Sequence, residues 1–455
     1  MKRSTSLGTS GSRRRHRALA AVVVGSLFVV ACGGGDDGGS SEEPASTEAP
    51  ASTEAPSSSD APASTEAPAG GDELPPPTGE EMVIGLVNTE GGAGGLDFPD
   101  IRRFMEAAIE YTNQHGGLGN RPVKLESCVV KGNPETSQAC AQELVGKNVE
   151  LILLGLDLFP DYKTYEAAGI PVIGVLPILP PDYTAKALFL TGGNATSQAA
   201  SAALAKDYFK ASSVGIIHAD NAGANSTAAS LEAALDKAGI TWKAVKGGDN
   251  ETDAGFQGLM RQAVEDDPDV LVSLYSDAGC IGTMRARASL GITTPVITTN
   301  ICADKDVIDV VGDDATGWYF AGLAEEKDTP ERAVLKRTLA PVMGIPEEEV
   351  TAASLGLGGL GYVLWMSLID YGRQMVAEGT ELTGESLYSF LGSTDGLYLF
   401  GGVTPIACGS NSSYPAVCSF VFPFATYLGD GKVGPIEDLE AVTGSNLVDS
   451  SPYLP

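Results

Sequence analysis

The run Met82-Val83-Ile84-Gly85-Leu86-Val87 (MVIGLV, 82–87) is apolar, and it breaks into a glycine-rich loop, NTEGGAGGLD (88–97), before the chain turns amphipathic. Ile101, Phe104, Met105, Ala108 and Ile109 then recur at i, i+3, i+4 spacing, which predicts a helix with one buried face. That helix stops at NQHGGLGN (113–120), where Gly116 and Gly117 supply the backbone conformations a helix terminus needs. RPVKLESCVV (121–130) reads as a second strand. Asn133-Pro134-Glu135 places an N-cap before a proline at the first helical position, opening a helix to Lys147, and VELILLG (149–155) is a third strand. A β-α-β-α-β order with apolar strands implies a parallel sheet covered on both faces. Sheets of this kind bind ligands beyond the carboxyl ends of their strands, where the strand order switches direction.

AAIEYTNQHGGLGNRPVKLE (107–126), a polar turn and AQELVGKNVELILLG (141–155) together resemble the opening of the type I solute-binding proteins, the group that contains the leucine/isoleucine/valine-binding proteins of ABC importers. The similarity extends from Met82 to about Val433. It implies an α/β fold of two doubly wound parallel-sheet lobes joined by three crossover strands. It also implies a small-molecule ligand, ABC permease subunits as partners, a monomer, and neither enzymatic activity nor a cofactor.

About 370 residues remain for folding, enough for two ordinary domains. Further strands read at 170–175, 186–191, 213–219, 241–245, 269–276, 295–300 and 317–323, with helical patterns between most of them. Thr227 to Ala238 closes at Gly239, for example, and Phe256 to Glu265 closes before Pro268. The resemblance places lobe crossings near Thr191, Leu323 and Gly401. Lobe 1 would be 81–191 with 325–400, and lobe 2 would be 192–324 with 401–445.

The first 31 residues hold six basic residues and no acid, then an apolar run from Ala18 to Ala31. That run is short for a membrane span and fits a secretory leader. It ends Val29-Val30-Ala31-Cys32, which resembles the bacterial lipobox. By that resemblance Cys32 becomes the lipidated N-terminus and fixes the chain to the outer face of the cell membrane. Residues 32–80 contain PASTEAP three times, from Pro44, Pro50 and Pro62. Such a mixture buries too little apolar surface to offset ordering entropy and reads as a tether.

Charge divides the chain the same way. Setting aside the six leader bases and the 12 acids between Asp36 and Glu81, the rest carries 23 bases and 47 acids, about −24. Such a surface repels nucleic acid. Beyond Cys32 the cysteines are Cys128, Cys140, Cys280, Cys302, Cys408 and Cys418. An even number in an exported chain points to disulfides; six allow 15 pairings, and pairing of sequence neighbours is the expectation. No Cys-x-x-Cys supports zinc or redox chemistry.

No G-x-S-x-G, H-E-x-x-H or P-loop occurs. His218, with Asp220 two residues on, is the one histidine that could serve a hydrolase, and it lacks a serine nucleophile context. Gly356, Gly358 and Gly361 satisfy G-x-G-x-x-G, but within TAASLGLGGLGYVLWMSLIDYG (351–372), which reads as one apolar helix with a close packing face. Tyr362 matches an aromatic scaffold position of the family.

The loops leaving the strand ends are 88–98, 155–161, 176–183, 218–225, 275–280 and 299–304. They carry acids and aromatics but no lysine or arginine. The candidate ligand contacts are Phe98, Asp157, Phe159, Ile178, Asp220, Asn221, Tyr275, Asp277 and Asn300. Amino-acid binders of the resembled family hold the ligand carboxylate with hydroxyls and backbone amides from loops that here read Leu-Asp-Leu-Phe (156–159) and Pro-Ile-Leu-Pro (177–180). A buried carboxylate would lack hydroxyl donors there and would face Asp157, a costly arrangement without a paired cation. The expected ligand is neutral or cationic with an apolar part. The other readings are a membrane-tethered sensor without transport and a hydrolase using His218.

Overall fold

Five strands form the first sheet: β1 (Met82–Thr89), β2 (Val123–Val130), β3 (Leu151–Leu154), β4 (Val172–Gly174) and β5 (Leu188–Phe189). All pair in parallel, in the order β2-β1-β3-β4-β5. The helices between them are α1 (Pro99–Gln114), α2 (Pro134–Gly146) and α3 (Tyr162–Ala168). The α1 face foreseen from its spacing is the buried one: Ile101, Phe104, Met105, Ala108 and Ile109 all turn inward. The Asn133 side chain accepts from Thr136 N and caps α2. The described residues of this computed structural model are 74–92, 97–248, 250–322, 328–401 and 404–455. The leader, Cys32, nearly all of the 32–80 tether and Gly94-Gly95 of the glycine-rich loop lie outside them.

The second sheet repeats the topology. After α4 (Asn194–Ala203) come β6 (Ser213–Ala219), α5 (Ala222–Ala238), β7 (Thr241–Gly247), α6 (Asp253–Ala263), β8 (Val270–Leu274), α7 (Asp277–Ser289), β9 (Val296–Thr299), α8 (Lys305–Val311) and β10 (Trp318–Ala321). Their parallel order is β7-β6-β8-β9-β10, the same two-sided winding as in the first sheet. A hairpin, Phe424–Gly429 and Lys432–Pro435, then adds two antiparallel strands beside β10. This sheet is therefore mixed rather than wholly parallel.

Between β10 and that hairpin the chain returns to the first lobe. α9 (Pro330–Met343), α10 (Ala352–Leu355), α11 (Gly359–Ala377) and α12 (Gly384–Ser393) contribute Leu339, Tyr362, Trp365, Leu368 and Leu387 to the core that holds Ile84, Leu86 and Leu153. The stretch 351–372 is not one helix. It breaks at Gly356, whose φ of +48° suits a residue without Cβ. Its glycines do form a packing face: a Cβ at Gly358 would press on Phe104 and Asp100 of α1, and one at Gly361 on the backbone of Ile101. Trp365 Nε1 donates to Thr112 Oγ1 at 3.0 Å across the same contact, and the Tyr362 ring meets Phe400 edge-on.

The second lobe has its own cores on the two faces of its sheet. One of them reaches past position 445: Val448 pairs with Phe422, and Leu454 is buried. The three disulfides are Cys128–Cys140, Cys280–Cys302 and Cys408–Cys418, joining sequence neighbours. The last one closes a loop beyond Gly401, where the third crossing was expected: Cys418 N donates to Phe189 O and Phe189 N to Ala416 O, which ties that loop to the lobe 1 edge strand β5. Among the described residues, no helix is long and apolar enough to cross a membrane.

Candidate functional site

Because both sheets wind outward from a first strand, each has a switch point, between β1 and β3 and between β6 and β8, and the loops there leave the strand ends in pairs. Between the lobes, loops from both sheets and described segments that join the lobes border a cleft of about 670 Å³. Of the sequence candidates, Phe159, Ile178, Asn221, Tyr275 and Asn300 line it. Phe98, Asp157 and Asp220 do not, and each has a physical reason.

Phe98 packs into a small cluster with Ile101 and Leu156 at the foot of α1, where its carbonyl accepts from Asn88 Nδ2 at 2.8 Å. The Asn88 carboxamide oxygen accepts from Leu156 N at 3.1 Å. This residue clamps the ends of β1 and β3 together, so the described part of the glycine-rich loop supports the wall without lining it. Asp157 is 3% exposed and turned inward, where it accepts from Ser137 Oγ at 2.7 Å and Phe159 N at 3.0 Å. Burial pushes its pKa up to about 6, against the pull of those two hydrogen bonds. Asp220 is on the surface, bonded to Lys246 at 3.0 Å and to Asn225. The Asp277 side chain lies outside the described residues.

A further carboxylate completes the lobe 1 wall. Asp182, absent from the sequence candidates, is 2% exposed and accepts from Ile178 N and Leu179 N, both at 2.8 Å, and from Tyr162 Oη at 2.8 Å. Burial raises its pKa as well. Three backbone donors of the two lobe 1 loops, Phe159 N, Ile178 N and Leu179 N, are thus met by the chain's own acids. What those loops show the cleft is hydrocarbon: Leu158, Phe159, Leu176, Ile178 and Leu179. The broken helix adds Leu357, Leu360 and Val363, and the segment after α12 adds Phe400.

The lobe 2 wall is mixed and uncharged, with polar side chains set among apolar ones such as Leu274, Ile301 and Phe422. It presents Gln198 from α4, Asn221 and Thr227 from α5, Tyr275 and Ser276 at the β8 end, and Thr299 and Asn300 at the β9 end, with Ser419 from the crossing. α4, α5 and α7 begin here, at caps Gly193, Asn221 and Ser276, so their amide ends point toward the cleft mouth. No described lining residue is acidic or basic. Of the acids that motivated a cationic ligand, Asp157 and Asp220 are spent elsewhere.

Sequence reading missed Gln198, Ser419 and the leucines at 357 and 360. Gln198 lies in the second turn of α4 and Ser419 directly follows the disulfide-bonded Cys418. His218 is buried with Nδ1 3.0 Å from Ala219 O, and Asp220 pairs with Lys246 rather than with it, so the half-triad is not assembled. No group of three or more His, Cys, Asp or Glu side chains among the described residues is placed to hold a metal.

A family model described as "Periplasmic binding protein" matches residues 81–401. No curated protein matches the chain in sequence. Among solved structures, an ABC transporter substrate-binding protein from Sphaerobacter thermophilus is 19% identical, covers 78% of this chain and 96% of its own, and superposes with a TM-score of 0.59. A solute-binding protein of an ABC transporter from Rhodopseudomonas palustris in complex with p-hydroxybenzoic acid is 16% identical over 78% of this chain and 95% of its own, at a TM-score of 0.55. A branched-chain amino acid transporter substrate-binding protein from Streptococcus pneumoniae in complex with isoleucine is 13% identical over 78% and 97%, at 0.53.

Proposed function

The chain belongs to the periplasmic binding protein family, and from that premise we propose that it is the extracytoplasmic solute receptor of an ABC importer, held at the membrane through lipidated Cys32 and the 32–80 tether. Its solute is neutral and largely apolar. The observation that carries this reading is the cleft itself, with walls from both lobes and no charged side chain among its described lining residues. A charged solute buried there would go without a counter-ion, at a cost of several kcal/mol.

The lobes are taken as 81–191 with 325–400 and 192–324 with 401–445, except that Ile406, Cys408 and Cys418 pack into the lobe 1 core, which moves the return to lobe 2 beyond Cys418, and that the lobe 2 core takes in Val448 and Leu454. Closure follows from binding alone. A ligand that touches both walls stabilises the closed form by its differential affinity for it, and the closed surface is what permease subunits would recognise. The contrast with the Streptococcus pneumoniae structure is instructive, because isoleucine carries a carboxylate and an ammonium while no described side chain lining this cleft bears an opposite charge for either.

Native mass spectrometry of the purified protein tests the solute class, with an uncharged retained molecule as the expected result. Uptake of that molecule by a deletion strain tests the importer assignment. Unchanged uptake with loss of a transcriptional or chemotactic response would transfer the protein to the sensor class.

A further inference from the structure

The cleft is polarised. Lobe 1 contributes hydrocarbon because Asp157 and Asp182 have taken up the amides of its loops. On the opposite side, three polar atoms have no hydrogen-bond partner within the protein: Gln198 Oε1, Thr299 Oγ1 and Ser419 Oγ. All three belong to residues that line the cleft, and Gln198 and Ser419 are only 2% and 3% exposed. Buried polar groups of folded proteins are almost always bonded, and leaving one unpaired opposes folding. Partnerless polar atoms are found away from the cleft as well, at Ser273 Oγ and Trp318 Nε1, but these three oxygens belong to residues of one cleft, where a solute can supply what the chain does not.

We propose that Gln198, Thr299 and Ser419 form a subsite for the head of the solute, and that this head is an uncharged group carrying at least one N–H or O–H donor together with an acceptor, as a carboxamide or an alcohol does. The chemistry of the three atoms sets the class. A carboxamide oxygen accepts only, so Gln198 Oε1 requires a donor, while the two hydroxyls can complete either polarity. A carboxylate has no donor to give. An ammonium has donors but would be desolvated without a counter-charge. The solute therefore lies with its apolar tail on Leu158, Ile178 and Leu360 and its head toward α4 and the third crossing. This orientation rests on the solute-receptor reading above, and it assigns each wall a separate role.

The test uses the full-length protein and three probes with one branched tail: 4-methylpentanamide, 4-methylpentanoate and 4-methylpentylamine. The amide raises the thermal midpoint and binds in calorimetry at least tenfold more tightly than the acid or the amine. Ser419→Ala and Thr299→Val each weaken the amide at least tenfold. Each leaves the midpoint of the free protein equal to or above that of the parent, because a buried unpaired hydroxyl has been removed.

A free-protein midpoint several degrees lower in both variants would mean that the hydroxyls are structural, and it would overturn the subsite. So would amide affinity unchanged in both, tighter binding of the acid or the amine, or no binding of any of the three probes. Failure of the importer reading is seen separately, as normal solute uptake in a deletion strain alongside intact, Ser419-dependent amide binding.

Discussion

Exchanging Asp157 for asparagine isolates the cost of keeping an acid beneath the lobe 1 wall. The carboxyl is 3% exposed, accepts from Ser137 Oγ and Phe159 N, and has Asp182, Tyr162 and Tyr165 as its titratable neighbours. Burial is the largest influence on it. It lifts the pKa from 3.8 to about 6, with Asp182 adding to the rise and the two hydrogen bonds opposing it. The folded chain therefore keeps this proton up to about pH 6, while the unfolded chain releases it near 3.8. Between those values the folded state binds more protons, so stability falls as pH rises through the window and is lowest above it. Two pKa units correspond to about 3 kcal/mol. An asparagine at 157 still offers one oxygen to both donors and never ionises. Asp157→Asn is accordingly more stable than the parent above about pH 7, by up to about 3 kcal/mol, and the gap closes below about pH 4. Urea unfolding at a series of pH values measures it. A variant less stable than the parent at pH 8, or a difference that does not vary with pH, would refute burial as the cause of the shift.

Other substitutions examine the scaffold. Gly361→Ala drives a methyl onto the Ile101 backbone and should cost about 1–3 kcal/mol, whereas Gly359→Ala meets only the Leu355 side chain and should be close to neutral; chemical denaturation separates them. Asn88→Ala leaves the buried Phe98 carbonyl and Leu156 N–H without their side-chain partner, an expected loss of about 2–4 kcal/mol that a thermal melt would register. Replacing Cys408 and Cys418 by serine opens a loop of sequence separation 10. The expected cost is about 2–3 kcal/mol, and because that loop is tied to β5, limited proteolysis should cut it first.

The alternation of strands and helices was legible because each element carries its period in its own residues: α1 shows its buried face, and β3 is an unbroken apolar run. Two features departed from that pattern. The hairpin at 424–435 adds antiparallel strands to a parallel sheet. Its turn, Gly429-Asp430-Gly431, has Asp430 and Gly431 both at positive φ, and this Asp-Gly pair was a readable hairpin signal. The break at Gly356 was harder to see, because the apolar pattern of 351–372 runs through it. The break turns Leu357, Leu360 and Val363 to the cleft, so a residue run that reads as core scaffold also supplies part of the wall.

The acids show where sequence reading of a site runs out. An aspartate just past a strand end can face a ligand or accept from its own loop, and residue type and position are the same in both cases. Here Asp157 and Asp182 take the second course, binding Phe159 N, Ile178 N and Leu179 N. The same two loops carry no hydroxyl side chain at 156–159 or 177–180. These facts are connected. A loop without hydroxyls still has amides that need partners once the lobe is folded, and a carboxylate supplied by the chain meets that need in every state, with or without solute. The anion that would otherwise arrive with the ligand is thus already present in the wall, which leaves that side of the cleft able to recognise only shape and hydrocarbon. Selection by hydrogen bonding then falls to lobe 2 and the crossings, where the unpartnered oxygens of Gln198, Thr299 and Ser419 are found.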